Sequence, residues 1–337
     1  MLESRRRYMN KNIPSAPGLL SLSKEEMDSM LKGLREKSGD NALPMSRSAL
    51  IRRTGRRIDQ ASRQMEEIFD HTARTGMVPL EDVRKDIVPV IREAAAIPHL
   101  NHLFYELKSK DEYTYRHTIC VGIISALIGK WLDLEEEELS DLTLGAILHD
   151  VGKARIPSAI LNKPGKLTKE EYAEMKRHTI YGYEMLKDLP GIGRKIPLIA
   201  LQHHEREDGA GYPLGLTSNK VEHLAKIVAI ADVYHAMSSA RVYHRPEPFH
   251  IVISQMQNDV FGKFDPKIMV VFLYRMMLNL VGQRVELNDG SKGTLVMVDS
   301  YEPLRGLIQV GEELIDLRFN RTLAIAKVLE EESGEEV

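Results

Sequence analysis

The chain has 337 residues, more than one compact core usually organises, so two or three domains with ample buried core are expected. Its 46 Lys and Arg against 49 Asp and Glu leave a net charge of −3 with histidine neutral, which excludes a global basic field that would recruit a nucleic-acid polymer or anionic lipid. Any anionic substrate must therefore be held by local groups.

Residues 1–12 are polar and basic with no apolar core after them, so a secretory signal is not expected. The apolar stretches around Ile119–Leu132 and Met269–Val281 are short or broken by Lys130 and Arg275, and no membrane span is expected. The single cysteine, Cys120, cannot form an internal disulfide and fits a reducing compartment. A cytoplasmic protein is the resulting expectation.

Residues 1–45 read as an appendage with a short helical piece, Ser23–Lys37. Apolar residues then recur at helical spacing over Ser46–Arg74 (Ile58, Met65, Ile68, Phe69) and over Pro79–Lys108 (Val83, Ile87, Val90, Ile91). The basic run Arg52–Arg57 reads more readily as a solvated helix face than as a phosphate-binding patch. The pattern stays helical over 111–280. Thr168 with Glu171 forms a capping box, so a helix is predicted to start there and to carry His178 on its third turn. Asp265-Pro266 predicts an N-cap and first turn for a helix running through Met277.

After Val281 the character changes to short runs rich in Val, Ile and Leu: 284–287, 294–298, 307–310, 314–317 and 322–328. Asn288-Asp289-Gly290 signals a hairpin with a turn longer than two residues. The residues from Glu330 onward are acidic. The organisation expected is an N-terminal helical region (1–110), a central all-α domain (111–280) and a small antiparallel β module (281–337), mainly α in class.

The chemistry concentrates in the central region. His149-Asp150 is followed three residues later by Lys153, with His117 upstream and His178, His203, His204 and Asp232 downstream. These seven imidazole and carboxylate groups, Lys153 aside, are enough to surround two metal ions. On a helix reaching Lys153, the residues Ala146, His149, Asp150 and Lys153 share one face, so a carboxylate able to bridge two cations sits beside a lysine able to meet a phosphate. Any one of these histidines alone reads as an ordinary core residue. Asp232 interrupts the apolar run 227–231, where a buried carboxylate is costly without a cation. His203-His204-Glu205 leads into Asp208-Gly-Ala-Gly-Tyr212-Pro213, whose glycines and proline present Tyr212 on a stiff loop beside the histidines.

Together, His149-Asp150-Val-Gly-Lys153, Leu161-Asn-Lys-Pro-Gly-Lys-Leu-Thr168, His178, His203 through Pro213 and Ile230-Ala-Asp232 resemble the HD-GYP domains of the bacterial HD superfamily. The resemblance implies an all-α HD-type domain with a di- or trinuclear centre of divalent transition metals, commonly iron or manganese. It also implies hydrolysis of cyclic di-GMP to linear pGpG, with continuation to GMP left open, through attack by a metal-held hydroxide. It assigns His117, His149, Asp150 and Asp232 to one metal and His178, His203 and His204 to a second, with Asp150 bridging. Asp150 and Lys153 carry the catalytic assignment. Lys153, Tyr212 and Arg241 line the substrate.

This chain also departs from the family. Members with a third metal carry a glutamate one turn before the first histidine, where Tyr113 stands here, so two metals are expected. Where the family continues after its last aspartate with a further aspartate and Asp-Arg-Pro-Tyr, this chain has His235 and Ala240-Arg241-Val242-Tyr243-His244. Two other readings stay open: a signalling protein that binds metal and cyclic dinucleotide with little or no turnover, and a general HD-type nucleotide phosphohydrolase. The sequence also leaves open a homodimer and a protein signalling partner.

Overall fold

The computed structural model describes residues 47–97, 114–238, 249–258 and 260–329. The expectations for the first 45 residues, for Tyr113, for Arg241 and its neighbours 240–244, and for the tail from Glu330 lie outside these.

The first described helix, α1 (Arg47–Thr75), buries Ile58, Ala61, Met65, Ile68 and Phe69, one apolar stripe of a long amphipathic helix. Arg53 and Arg57 lie beside this stripe and pair with Glu93 at the partly exposed edge of the contact with the next helical segment. The next segment, α2, runs as Leu80–Asp82, a π-helical turn Val83–Ile87, and Val88–Ala94. Pro89, which has no amide hydrogen to give, comes two residues after the end of the π turn, and a widened turn relieves the clash a proline makes with the preceding carbonyls.

At the centre lies α3 (Thr114–Trp131), buried on nearly every side from Thr118 to Ile128 because its sequence is apolar all round. It packs against α1, α2, α4 (Glu136–Leu148) and α8 (His223–Ser238). Between α4 and α8 come α5 (Lys169–Lys176), α6 (His178–Leu186) and α7 (Lys195–Gln202). The helices α9 (Phe249–Asn258) and α10 (Pro266–Leu278) follow. Asp265 caps α10 by accepting from the amides of Lys267 and Ile268, as the Asp-Pro pair predicts. None of the described helices is long and apolar enough to cross a membrane.

Five short strands complete the described chain: β1 (Arg284–Leu287), β2 (Lys292–Met297), β3 (Leu307–Val310), β4 (Glu313–Asp316) and β5 (Ile325–Val328). They form one antiparallel sheet in the order β4-β3-β2-β1-β5. The β1–β2 hairpin closes through Leu287 and Ser291 around Asn288-Asp289-Gly290, the longer turn expected. Val285, Leu287, Leu295 and Ile308 on the sheet belong to the same continuous buried cluster as Met277 and Leu280 at the end of α10.

Candidate metal centre

The chain bends twice to build the site. Helix α4 stops at Leu148, His149 occupies its C-cap, and the turn Val151–Arg155 is 3-10 helix. The expected single helical face from Ala146 to Lys153 is therefore corrected: Asp150 sits at the joint, with backbone angles of −100° and 6°, which frees it to face a different direction from His149. A methyl group on Gly152 would fall on the carbonyl oxygen of His178, so only glycine lets this turn lie directly against the start of α6.

The second bend is at Arg177. Thr168 and Glu171 make the capping box of α5, with bonds of 3.2 and 2.7 Å, but α5 ends at Lys176 and His178 opens α6 rather than riding the third turn of α5. His203 and His204 leave the C-terminal end of α7, where a carbonyl-rich terminus gives way to the Gly-Tyr-Pro loop.

Three of the histidines are oriented by one device. Nδ1 of His149 lies 2.7 Å from the Ala146 carbonyl, Nδ1 of His178 lies 2.7 Å from that of Met175, and Nδ1 of His203 lies 3.0 Å from that of Ala200. A carbonyl only accepts, so in each ring Nδ1 donates, which leaves Nε2 as the nitrogen that the neutral ring offers to a cation. All three Nε2 atoms converge on Asp150: His149 at 3.2 Å from Oδ2, His178 at 3.3 Å and His203 at 3.8 Å from Oδ1. His149 Nε2 and Asp150 Oδ1 are buried and meet no hydrogen-bond partner, a costly state that a bound cation would remove.

Two donor groups share Asp150, each with its ligand atoms within 4.8 Å of one another. One is Asp150, His178, His203 and His204, and the other is His117, His149 and Asp150. Asp232 adjoins the second group, its Oδ1 lying 3.0 Å from His117 Nε2. The structure thus brings all seven expected residues together.

Electrostatics favour the forms a cation needs at three of the histidines and at both aspartates. Burial drives the His204 pKa down to about 3 and lowers those of His178 and His203, so these rings are neutral. Burial works against the charge of Asp150, but Lys153 and then His149 outweigh it and keep the carboxyl ionised, and the same carboxylate raises the His149 pKa against burial. Asp232 is likewise held ionised against burial by His117. Neutral imidazoles around a shared carboxylate suit borderline divalent transition metals, and the residues present fit such ions.

Lys153 donates to Asp150 Oδ2 at 2.5 Å, so its ammonium is engaged with the carboxylate beside it. The Tyr212 ring stacks on His204 with centroids 4.6 Å apart, and its hydroxyl pKa is raised by burial. Its loop is anchored from below by Glu205, whose carboxylate accepts from the amides of Leu214 at 2.7 Å and Leu216 at 2.8 Å. Gly211 lies where a methyl group would meet the backbone of His204, Glu205 and Arg206. The Tyr212–Pro213 bond is cis.

Two contacts were not expected from the sequence. His235, three residues after Asp232 on α8 and so on the same face, meets His117 with Nδ1 atoms 2.8 Å apart. Lys176, the last residue of α5, holds its ammonium 5.8 Å from the Tyr212 ring centroid and 5.3 Å from that of Tyr172. The i, i+3 and i, i+4 spacings signal both, once a neighbouring residue is known to face the site.

A helical bundle with a buried carboxylate shared between two histidine groups defines a domain whose donors could hold divalent metal ions. Residues 101–268 match the HD domain family model. The chain belongs to that family, with motifs of the HD-GYP type. It is 33% identical over 244 residues to the cyclic di-GMP phosphodiesterase PA4108 of Pseudomonas aeruginosa, covering 69% of this chain and 58% of that one. It is 38% identical over 168 residues to a cyclic di-GMP phosphodiesterase of Thermotoga maritima, covering 49% of this chain and 45% of the relative. The chain thus spans about half the length of these curated relatives. Among solved structures, Bd1817, an HDG"Y"P protein from Bdellovibrio bacteriovorus, shares the fold with a TM-score of 0.54 at 20% identity, over 74% of this chain and 80% of that one.

Proposed function

We propose that this chain is a metal-dependent phosphodiesterase that opens cyclic di-GMP to linear pGpG. The observation that carries the reading is Asp150, whose carboxylate is shared by two groups of histidine nitrogens. In this reading His117, His149, Asp150 and Asp232 hold one divalent ion, His178, His203 and His204 hold another across Asp150, and iron or manganese suits the donors. When bound, the ions supply Lewis acidity at the phosphodiester and an activated water.

The chain's own residues do the rest. The Nδ1 bonds of His149, His178 and His203 to helix carbonyls fix the three Nε2 lone pairs before any ion arrives, so little reorganisation accompanies loading. Lys153, partnered with Asp150, keeps that carboxylate charged and places an ammonium at the rim of the site, where charge develops on a phosphate. Burial of the donor set excludes bulk water and strengthens each of these interactions. Arg241 completes the substrate contacts in this reading.

The test is a set of incubations of manganese- and iron-loaded protein with cyclic di-GMP, its mixed guanine-adenine analogue and GMP, separated by chromatography. The expected result is pGpG from cyclic di-GMP, and the same traces show whether cleavage continues to GMP. Release of phosphate from GMP with both cyclic dinucleotides intact would overturn the reading in favour of a nucleotide phosphohydrolase.

A further inference from the structure

Tyr172 and Lys176 stand on one face of α5, four residues apart, beside the Gly-Tyr-Pro loop. Tyr172 is 51% exposed, unusual for so large a ring at the edge of a buried site. The Lys176 ammonium lies within cation–π distance of both Tyr172 and Tyr212, and Tyr212 stacks on His204. The neighbouring charges are already paired: Glu174 takes Arg177 and Tyr181, Glu171 takes Lys163, and Asp150 takes Lys153. Among the described residues no carboxylate comes within ion-pair distance of Lys176. A half-buried ammonium without an anion, between an exposed aromatic face and the metal site, matches a ligand that is both anionic and flat.

We infer that Tyr172 and Lys176 form a nucleotide subsite next to the metal centre: a purine base stacks on the exposed face of Tyr172, and the Lys176 ammonium meets the phosphate that is not being cleaved. The inference rests on the cyclic dinucleotide reading above. A substrate with two phosphates and two bases extends beyond the centre that cleaves one of its diesters. Tyr212 faces His204 and is largely buried, so it cannot offer a second open face. Base stacking on an aromatic side chain tolerates any base. The subsite therefore sets affinity for dinucleotides over a phosphomonoester rather than a preference between guanine and adenine.

The test compares wild type, Tyr172→Ala, Tyr172→Phe and Lys176→Ala as full chains loaded with manganese. Metal content and circular dichroism are measured first, and both are expected to match wild type, since neither side chain belongs to the donor set. Affinity is then read by isothermal titration with the phosphorothioate-bridged analogue of cyclic di-GMP, which resists cleavage, alongside KM and kcat for cyclic di-GMP itself. Tyr172→Ala is expected to weaken binding about tenfold while Tyr172→Phe stays near wild type. Lys176→Ala is expected to weaken it about tenfold and to flatten its salt dependence. In turnover the loss should fall on KM more than on kcat. Affinities of Tyr172→Ala and Lys176→Ala within about twofold of wild type, with wild type binding and cleaving normally, would show an ordinary solvated helix pair and overturn the subsite alone. A wild type that binds no cyclic dinucleotide would overturn both the subsite and the function on which it rests.

Discussion

His117 and His235 meet edge to edge through their Nδ1 atoms at 2.8 Å, while His117 Nε2 points to Asp232. For Nε2 to offer its lone pair to a cation, the His117 proton must sit on Nδ1 and be donated to His235. In that arrangement His235 Nδ1 is the acceptor. Substituting His235→Ala should weaken metal binding about 10- to 100-fold, and His235→Asn, which still offers an acceptor oxygen, should recover much of it. Competitive metal titration measures both, and equal affinities for the two variants would remove the role of this bond.

Asp150→Ala should abolish metal loading at both donor groups while the bundle stays helical, because the apolar packing around α3 does not pass through this side chain. Elemental analysis of the purified variant is the measurement. Two metal equivalents per chain would sink the bridging role.

Glu205 ties the Gly-Tyr-Pro loop down through two amides, and Gln in its place keeps one acceptor oxygen but turns an amide group toward the other N–H. Glu205→Gln should cost about 1–3 kcal/mol of stability, the range for a buried donor left unsatisfied. Chemical denaturation gives the value. A loss within error of zero would mean the loop is held by other contacts.

The cap of α10 makes stability depend on acid. Burial disfavours the Asp265 carboxylate, but the Ile268 and Lys267 amides and the Lys226 ammonium outweigh it, so its pKa is lowered. A depressed carboxylate stabilises the fold above its unfolded value, near about 4, and that contribution fades as pH falls through the folded value. Asp265→Ala should therefore cost about 1 kcal/mol at neutral pH. The gap between variant and wild type should close on acidification. A gap constant from pH 7 to pH 2 would contradict the assignment.

Truncation after residue 281 should leave a folded, metal-binding helical core, at the cost of exposing Met277 and Leu280, which the sheet otherwise helps to cover. Circular dichroism and metal content of the truncated chain decide it. Loss of both would make the sheet part of the same folding unit.

The seven residues that the structure brings together were legible in the sequence from residue type and number, and the family resemblance divided them between two ions. His149-Asp150, His203-His204 and an aspartate inside an apolar helix are each expensive to bury without a cation. The two bends were less legible. A capping box states where α5 starts but nothing about where it stops, and Arg177 ends it with ordinary helical angles of −68° and −12°, without glycine or proline. Gly152 and Pro157 are residues that end helices, yet nothing in them says that the end comes before Asp150. Strand positions were read within a few residues, since alternation marks a strand but pairing sets its ends. Lys176 escaped because a lysine at the end of a helix is usually solvated. Tyr172 lies one turn back on the same helix, but the second ring, Tyr212, comes from the loop 208–213, distant in sequence.

The main-chain contact at Gly152 gives the centre a fixed gauge. Donors that hang from helices meeting side chain to side chain can drift apart when a core residue changes size, and the cavity between them stretches to follow. Here the turn after Asp150 rests on the His178 carbonyl with no side chain interposed, so the distance from Asp150 to His178 is set by backbone against backbone. Core variation elsewhere in the bundle leaves that spacing alone. A size change among core side chains then bears least on Asp150 and His178, whose separation is carried by main chain.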